Sequence, residues 1–109
     1  MGDKAWKQLE RRVASWLGTV RIGPSGDDGP DLISDHFAVQ CKHRASLPKW
    51  LLGAVDNAVD GAREGRAGFA YLKEKFSRDD DDLIVFKKAD FAQLITYTDL
   101  DAYVEARNV

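Results

Sequence analysis

Four side chains in the first half of the chain have the types and order that divalent-cation chemistry on a phosphodiester calls for: Glu10, Asp31, Gln40 and Lys42. Hard cations such as Mg²⁺ take oxygen ligands and keep several waters for use in reaction. Two carboxylates and an amide oxygen supply such ligands. An ammonium beside them stabilises charge building on an attacked phosphate, or orients the attacking water. Strand side chains alternate between faces, so Gln40 and Lys42 share one face of a strand while Val39 and Cys41 share the other. If residues 31–34 and 37–43 pair as a hairpin, Asp31 lies beside residues 40–42 at one end of the sheet. Glu10 stands one position from Leu9 and three from Val13. That places it at the border of a helix's apolar stripe, looking toward the sheet.

These groups must be carried by elements that the pattern predicts. Trp6, Leu9, Val13, Trp16 and Leu17 recur at three- and four-residue intervals and predict an amphipathic helix, with Asp3 as N-cap and Gly18 as its stop. A short apolar strand, 19–22, and a turn-rich loop, 23–30, follow. Strands at 31–34 and 37–43 are joined by a tight turn near Asp35 and His36. Ser46 and Pro48 open a second helix whose stripe is Leu51, Val55, Ala58, Val59 and Ala62, ended by Gly65. Residues 67–72 and 83–86 read as two further strands around a polar, mobile loop at 73–82. Phe91, Leu94 and Ile95 mark a short helix, and Thr98 caps a final helical turn at 100–106. The order is α-β-β-β-α-β-β-α. Its simplest packing is an α/β domain, a central mixed five-stranded sheet flanked by helices.

The chain has 109 residues, 44% hydrophobic and 31% charged, which suits a single domain spanning 1–109. No apolar run is long enough to cross a bilayer, and the first ten residues lack the apolar core of a secretory signal. One cysteine, Cys41, excludes an internal disulfide and a Cys-based zinc cluster. The expected setting is therefore cytoplasmic and reducing, without a membrane partner. The net charge of -2 hides segregation: residues 1–23 carry five basic and two acidic side chains, while acids gather at 27–35 and 79–82. Such a chain is no simple polycation, yet it can carry a local anion-binding face.

Gly29-Pro30-Asp31 alone is what any turn into a strand uses, and Gln40-Cys41-Lys42 alone is an ordinary polar strand end. In order, nine positions apart and preceded by a helical Glu10, they resemble the PD-(D/E)XK nuclease superfamily. The resemblance runs from Glu10 to about Phe86. Gln-Cys-Lys after Gly-Asp-Asp-Gly-Pro-Asp is similar to Mrr-type restriction endonucleases, whose third motif is commonly QxK. The small size, with Arg21, Ser25-Gly26 and Pro30-Asp31, resembles archaeal and phage Holliday junction resolvases, and a phage origin is compatible with it.

The resemblance implies a restriction-endonuclease-like core and Mg²⁺ as cofactor, with Mn²⁺ able to substitute. It implies Asp31 as the central metal ligand and Glu10 as an outer or second-metal ligand. Gln40 takes the place of the second motif carboxylate, Lys42 that of the catalytic lysine. Cys41 offers its backbone carbonyl to the metal, its thiol turned into the core. Resolvases usually carry Glu where this chain has Gln40, and a neutral amide binds Mg²⁺ less strongly. The activity so implied is endonucleolytic cleavage of DNA, with four-way or otherwise branched DNA as substrate and a homodimer as the working unit. An Mrr-like nuclease module and a degenerate fold kept for DNA binding or assembly are the alternatives.

Lys7, Arg11, Arg21, Arg44 and Lys49 are candidates to hold neighbouring phosphates, a contact that positions DNA without reading sequence. Ser25 joins them through the resolvase likeness, and His43 lies within reach of the same phosphates. His36 reads as a turn histidine. Trp50, off the second helix's stripe, is a candidate dimer contact.

Overall fold

The computed structural model describes residues 4–20, 29–62 and 64–108. The chain divides into two compact units. One comprises Met1–Ala45 with Leu100–Val109, the other Ser46–Asp99.

The first unit begins with α1, Ala5–Leu17. Gly18 ends it in the left-handed region at φ 72°, where a side chain is disfavoured. The Gly18 N–H donates to the Ser15 carbonyl, and the Thr19 N–H to the Ala14 carbonyl at 2.9 Å. This is the paired closure of a Schellman stop. Strands β1 (Leu32–Ile33) and β2 (Ala38–Val39) form an antiparallel hairpin with Leu32 opposite Val39. Its turn closes where the Ser34 N–H donates to the Phe37 carbonyl at 2.8 Å, and the Ser34 hydroxyl oxygen accepts from the Phe37 N–H. Leu32, 0% exposed, and Ala14 form the buried centre, with α1 packed on β1. Helix α4, Leu100–Arg107, belongs to this unit through Asp101, whose Oδ1 lies 2.7 Å from His36 Nε2.

The second unit holds α2 (Lys49–Ala62), β3 (Ala70–Leu72), β4 (Leu83–Val85) and α3 (Lys88–Ile95). Pro48 precedes α2, and its carbonyl accepts the Leu51 and Leu52 N–H groups. β3 and β4 pair antiparallel with Tyr71 opposite Ile84. Val55 of α2 and Ala70 of β3 are buried. Between them Gly68 is squeezed: a Cβ there meets the Ala58 carbonyl oxygen at 2.5 Å and the Val59 Cα at 2.8 Å. Only glycine lets strand and helix approach this closely. Lys87, just before α3, pairs with Asp56 of α2 at 2.7 Å, and the Phe69, Phe86 and Phe91 rings adjoin in series.

The expected five-stranded mixed sheet and its restriction-endonuclease-like core are corrected. Among the described residues there are two separate two-stranded antiparallel sheets. The second expected strand of the first hairpin stops at Val39 because the next donor, the Cys41 N–H, is taken by the Asp31 side chain rather than by a neighbouring strand. Of the expected strand at 19–22, Thr19 and Val20 are not strand, and the rest lies outside the described residues. The Thr19 hydroxyl nevertheless donates to the Ile33 carbonyl at 2.8 Å, occupying an acceptor that a further strand would use.

Smaller expectations also change. The expected N-cap Asp3 lies outside the described residues; Lys4 precedes α1 without a side-chain cap bond. Trp6 and Trp16 are exposed while Glu10 and Ala14 are buried, so α1 meets the hairpin along an edge of its apolar stripe. Thr98 does not cap α4; its hydroxyl donates back to the Leu94 carbonyl. The loop at 73–82 is tied down: Lys73 Nζ donates to the Ser77 carbonyl and to Asp79 Oδ1, both at 2.8 Å, and to Asp82 Oδ1 at 3.3 Å. Among the described residues no helix is long and apolar enough to cross a membrane.

Candidate functional site

The hairpin brings Asp31 to the segment that carries the Gln-Cys-Lys triplet. The Asp31 N–H donates to the Val39 carbonyl at 2.8 Å, while Leu32 is the residue paired with Val39. Two residues of one strand thus address one of the other, the pattern of a β-bulge, which re-aims a side chain where it occurs. The Cys41 backbone N–H donates to Asp31 Oδ2 at 2.6 Å. A charged acceptor on a backbone donor makes a strong bond. It fixes the carboxylate beside residues 40–42 while Oδ1 makes no hydrogen bond among the described residues.

Glu10 is 5% exposed, the one buried charged residue among those described. Burying a carboxylate is costly unless it is paired or hydrogen-bonded, so its place against the hairpin is a specific feature of the first unit. The Cys41 thiol reports on both acids. Burial first, then the negative charges of Asp31 and of Glu10, push it above the ordinary thiol range. Three stretches of chain therefore bear on one point: the second turn of α1, the entry to β1 and the exit from β2.

The remaining candidates are placed more loosely. Gln40 and Lys42 are exposed, and among the described residues Lys42 forms no ion pair with either acid. His43 and Arg44 are exposed directly after it. Lys7 is half-buried with its ammonium over the Trp6 ring, 5.5 Å from the centroid. Exposed Arg11 borders a shallow cleft with Ala14, Ser15 and Thr19. Arg21 and Ser25 lie outside the described residues. Lys49 is exposed at the start of α2, in the second unit.

Does this donor set suit Mg²⁺? Among the described residues no three His, Cys, Asp or Glu side chains form a group able to hold a metal. Mg²⁺ asks for less than that. It is commonly held by one or two carboxylates and retains its waters, whereas a closed protein cage suits other ions. The Asp31 and Glu10 carboxylates, the Gln40 amide oxygen and the Cys41 carbonyl are all hard oxygen donors, and the pair of acids favours a cation by offsetting their mutual repulsion. These donor types are ones that such an ion takes.

Sequence reasoning assigned Cys41 a metal-facing carbonyl and a thiol turned into the core. It missed the N–H that holds Asp31 and the thiol that feels both acids. No local signal marks this, because a bulge at Asp31 arises from pairing rather than from composition. His36 was read as a plain turn residue, and its partner Asp101 lies 65 positions away. No family model, no curated protein and no solved structure matches the chain.

Proposed function

We propose that the chain is a divalent-metal-dependent DNA endonuclease that hydrolyses backbone phosphodiesters, with four-way or otherwise branched DNA as its preferred substrate. One observation carries the reading: the Asp31 carboxylate is pinned by the Cys41 N–H, and Asp31 and buried Glu10 both act on the Cys41 thiol. The Gly-Pro-Asp and Gln-Cys-Lys motifs that resemble PD-(D/E)XK nucleases add to it.

In this reading Asp31, Glu10, the Gln40 amide and the Cys41 carbonyl hold Mg²⁺ or Mn²⁺. Such an ion supplies an activated water and neutralises charge on the phosphate. Asp31 stays oriented because its other oxygen is occupied by the Cys41 N–H. Lys42, exposed on a long flexible stem, swings onto the scissile phosphate when DNA binds and offsets the charge that develops there. Lys7, Arg11, His43 and Arg44 hold flanking phosphates, and Arg21 and Ser25 join them by the resolvase likeness. The working unit is a homodimer, since symmetric cutting of a junction needs two sites. The lone cysteine suits a reducing intracellular setting.

The test is cleavage by the full chain with Mg²⁺ or Mn²⁺ of a synthetic four-way junction against linear duplex of the same sequence. The junction is nicked faster, and Asp31→Ala or Lys42→Ala removes cleavage while binding is retained. Equal cutting of both substrates replaces the junction preference with a general, Mrr-like nuclease. Gln40 in place of the second carboxylate favours a second reading, a DNA-binding subunit without chemistry. Binding without cutting under every metal condition selects that one.

A further inference from the structure

We propose that a cleft lying wholly within the second unit is a subsite for one unpaired nucleotide whose base carries an exocyclic amino group; this rests on the reading of the chain as a DNA-acting protein. The cleft encloses about 310 Å³ and is bordered by Arg66, Ala67, Asp90, Gln93, Leu94 and Tyr97. Small-ligand sites run from about 300 to 1,000 Å³, so it accepts one nucleotide and no more. Its walls follow from local structure. Asp90, Gln93, Leu94 and Tyr97 recur at three- and four-residue spacing, so α3 and the turn after it present one face. Gly65, at φ 83°, turns the chain before Arg66 on the opposite side.

The side chains form a mixed set. Arg66 and Asp90 border the same cleft, yet among the described residues they make no ion pair with each other. Asp90 also acts on the Lys87 ammonium, and among the described residues no side-chain hydrogen bond occupies the Arg66 guanidinium or the Asp90 carboxylate. A guanidinium binds a phosphate through two parallel N–H groups. A carboxylate accepts from an exocyclic amine, as it does from the N4 amine of cytosine, and the Gln93 amide both donates and accepts. Tyr97 is 82% exposed, leaving its ring open for a base to stack on. Ala67 and Leu94 add apolar contact. The carboxylate makes the cleft a poor site for a bare anion and selects a ligand with a donor edge as well as a phosphate. Within a duplex that edge is paired, and at a branch or in a single strand it is free.

The experiment uses the full chain in EDTA, so that nothing is cut, and measures fluorescence anisotropy of labelled eight-nucleotide oligo-dC and oligo-dT. Oligo-dC binds more tightly than oligo-dT. Arg66→Ala and Tyr97→Ala each weaken oligo-dC binding by about tenfold, the loss expected for one stacked base or one phosphate anchor. Asp90→Asn abolishes the preference for dC. Arg66 and Tyr97 are exposed and Asp90 is half-buried, and far-UV circular dichroism verifies that the variants are folded. Failure of the unaltered chain to bind oligo-dC, or unaltered binding in folded Arg66→Ala and Tyr97→Ala, overturns the subsite. The nuclease reading is judged separately, by metal-dependent cleavage and its loss in Asp31→Ala. Cutting without an Arg66 or Tyr97 effect sinks the subsite alone, and Arg66-dependent binding without cutting sinks the nuclease alone.

Discussion

Cys41 ties the candidate site together by two different atoms. Its N–H orients Asp31, and its thiol is kept protonated by burial and by two nearby negative charges. Removing either charge lowers the barrier to the thiolate. Glu10→Gln and Asp31→Asn should therefore each bring the pH midpoint of Cys41 alkylation by iodoacetamide down. An unchanged midpoint in both variants would mean that neither carboxylate lies near the sulfur. The sign also bears on stability. A thiol raised in the folded state contributes stability that is present below its unfolded value and is lost as pH rises through its folded value. At this scale the approach of Asp31 to residues 40–42 was legible. Glu10, Asp31 and the 40–42 triplet were picked out by type and spacing, since a carboxylate on a helix's apolar border or at a strand entrance stands out against its neighbours. The role of Cys41 was not, because it depends on which strand atoms are left over after pairing.

At the scale of elements, helices were readable and sheets were not. The stripe from Trp6 to Leu17, the stop at Gly18 and the stripe from Leu51 to Ala62 correspond to α1 and α2, because helix periodicity and its stop signals are local. Residues 31–34 and 37–43 did contain strands, and the turn at Asp35 and His36 is where it was expected. How many strands share a sheet is set by contacts distant in sequence, and nothing in the alternation of residues 70–72 and 83–85 says whether they join the first hairpin. Gly68 was passed over for the same reason: its close approach to Ala58 exists only once β3 lies on α2. Gly68→Ala should destabilise the second unit by roughly 2 kcal/mol, in the range of overpacking against backbone. Chemical denaturation followed by circular dichroism measures it, and a loss below a few tenths would show that strand and helix are less closely packed.

For the whole molecule, the ratio of core to apolar surface is the leading fact. Four hydrophobic residues are buried among those described, Ala14, Leu32, Val55 and Ala70, while Trp50 is 65% exposed and Phe76 90%. With the dimer proposed above, sedimentation equilibrium should give twice the 12.2 kDa chain mass at micromolar concentration. Trp50→Ser should shift the species toward monomer, if α2 lines the interface. A monomer at every concentration removes the dimer and, with it, the simplest account of paired cuts.

The pairing of His36 with Asp101 has a temporal consequence. The first body is written in two instalments, with the second body's whole text between them. A ribosome makes residues 46–99 before it makes α4, so the later-starting body has all its parts written first. Assembly thus runs out of step with translation. The earlier-starting body, which carries both acids, waits for the last helix before its clasp can shut.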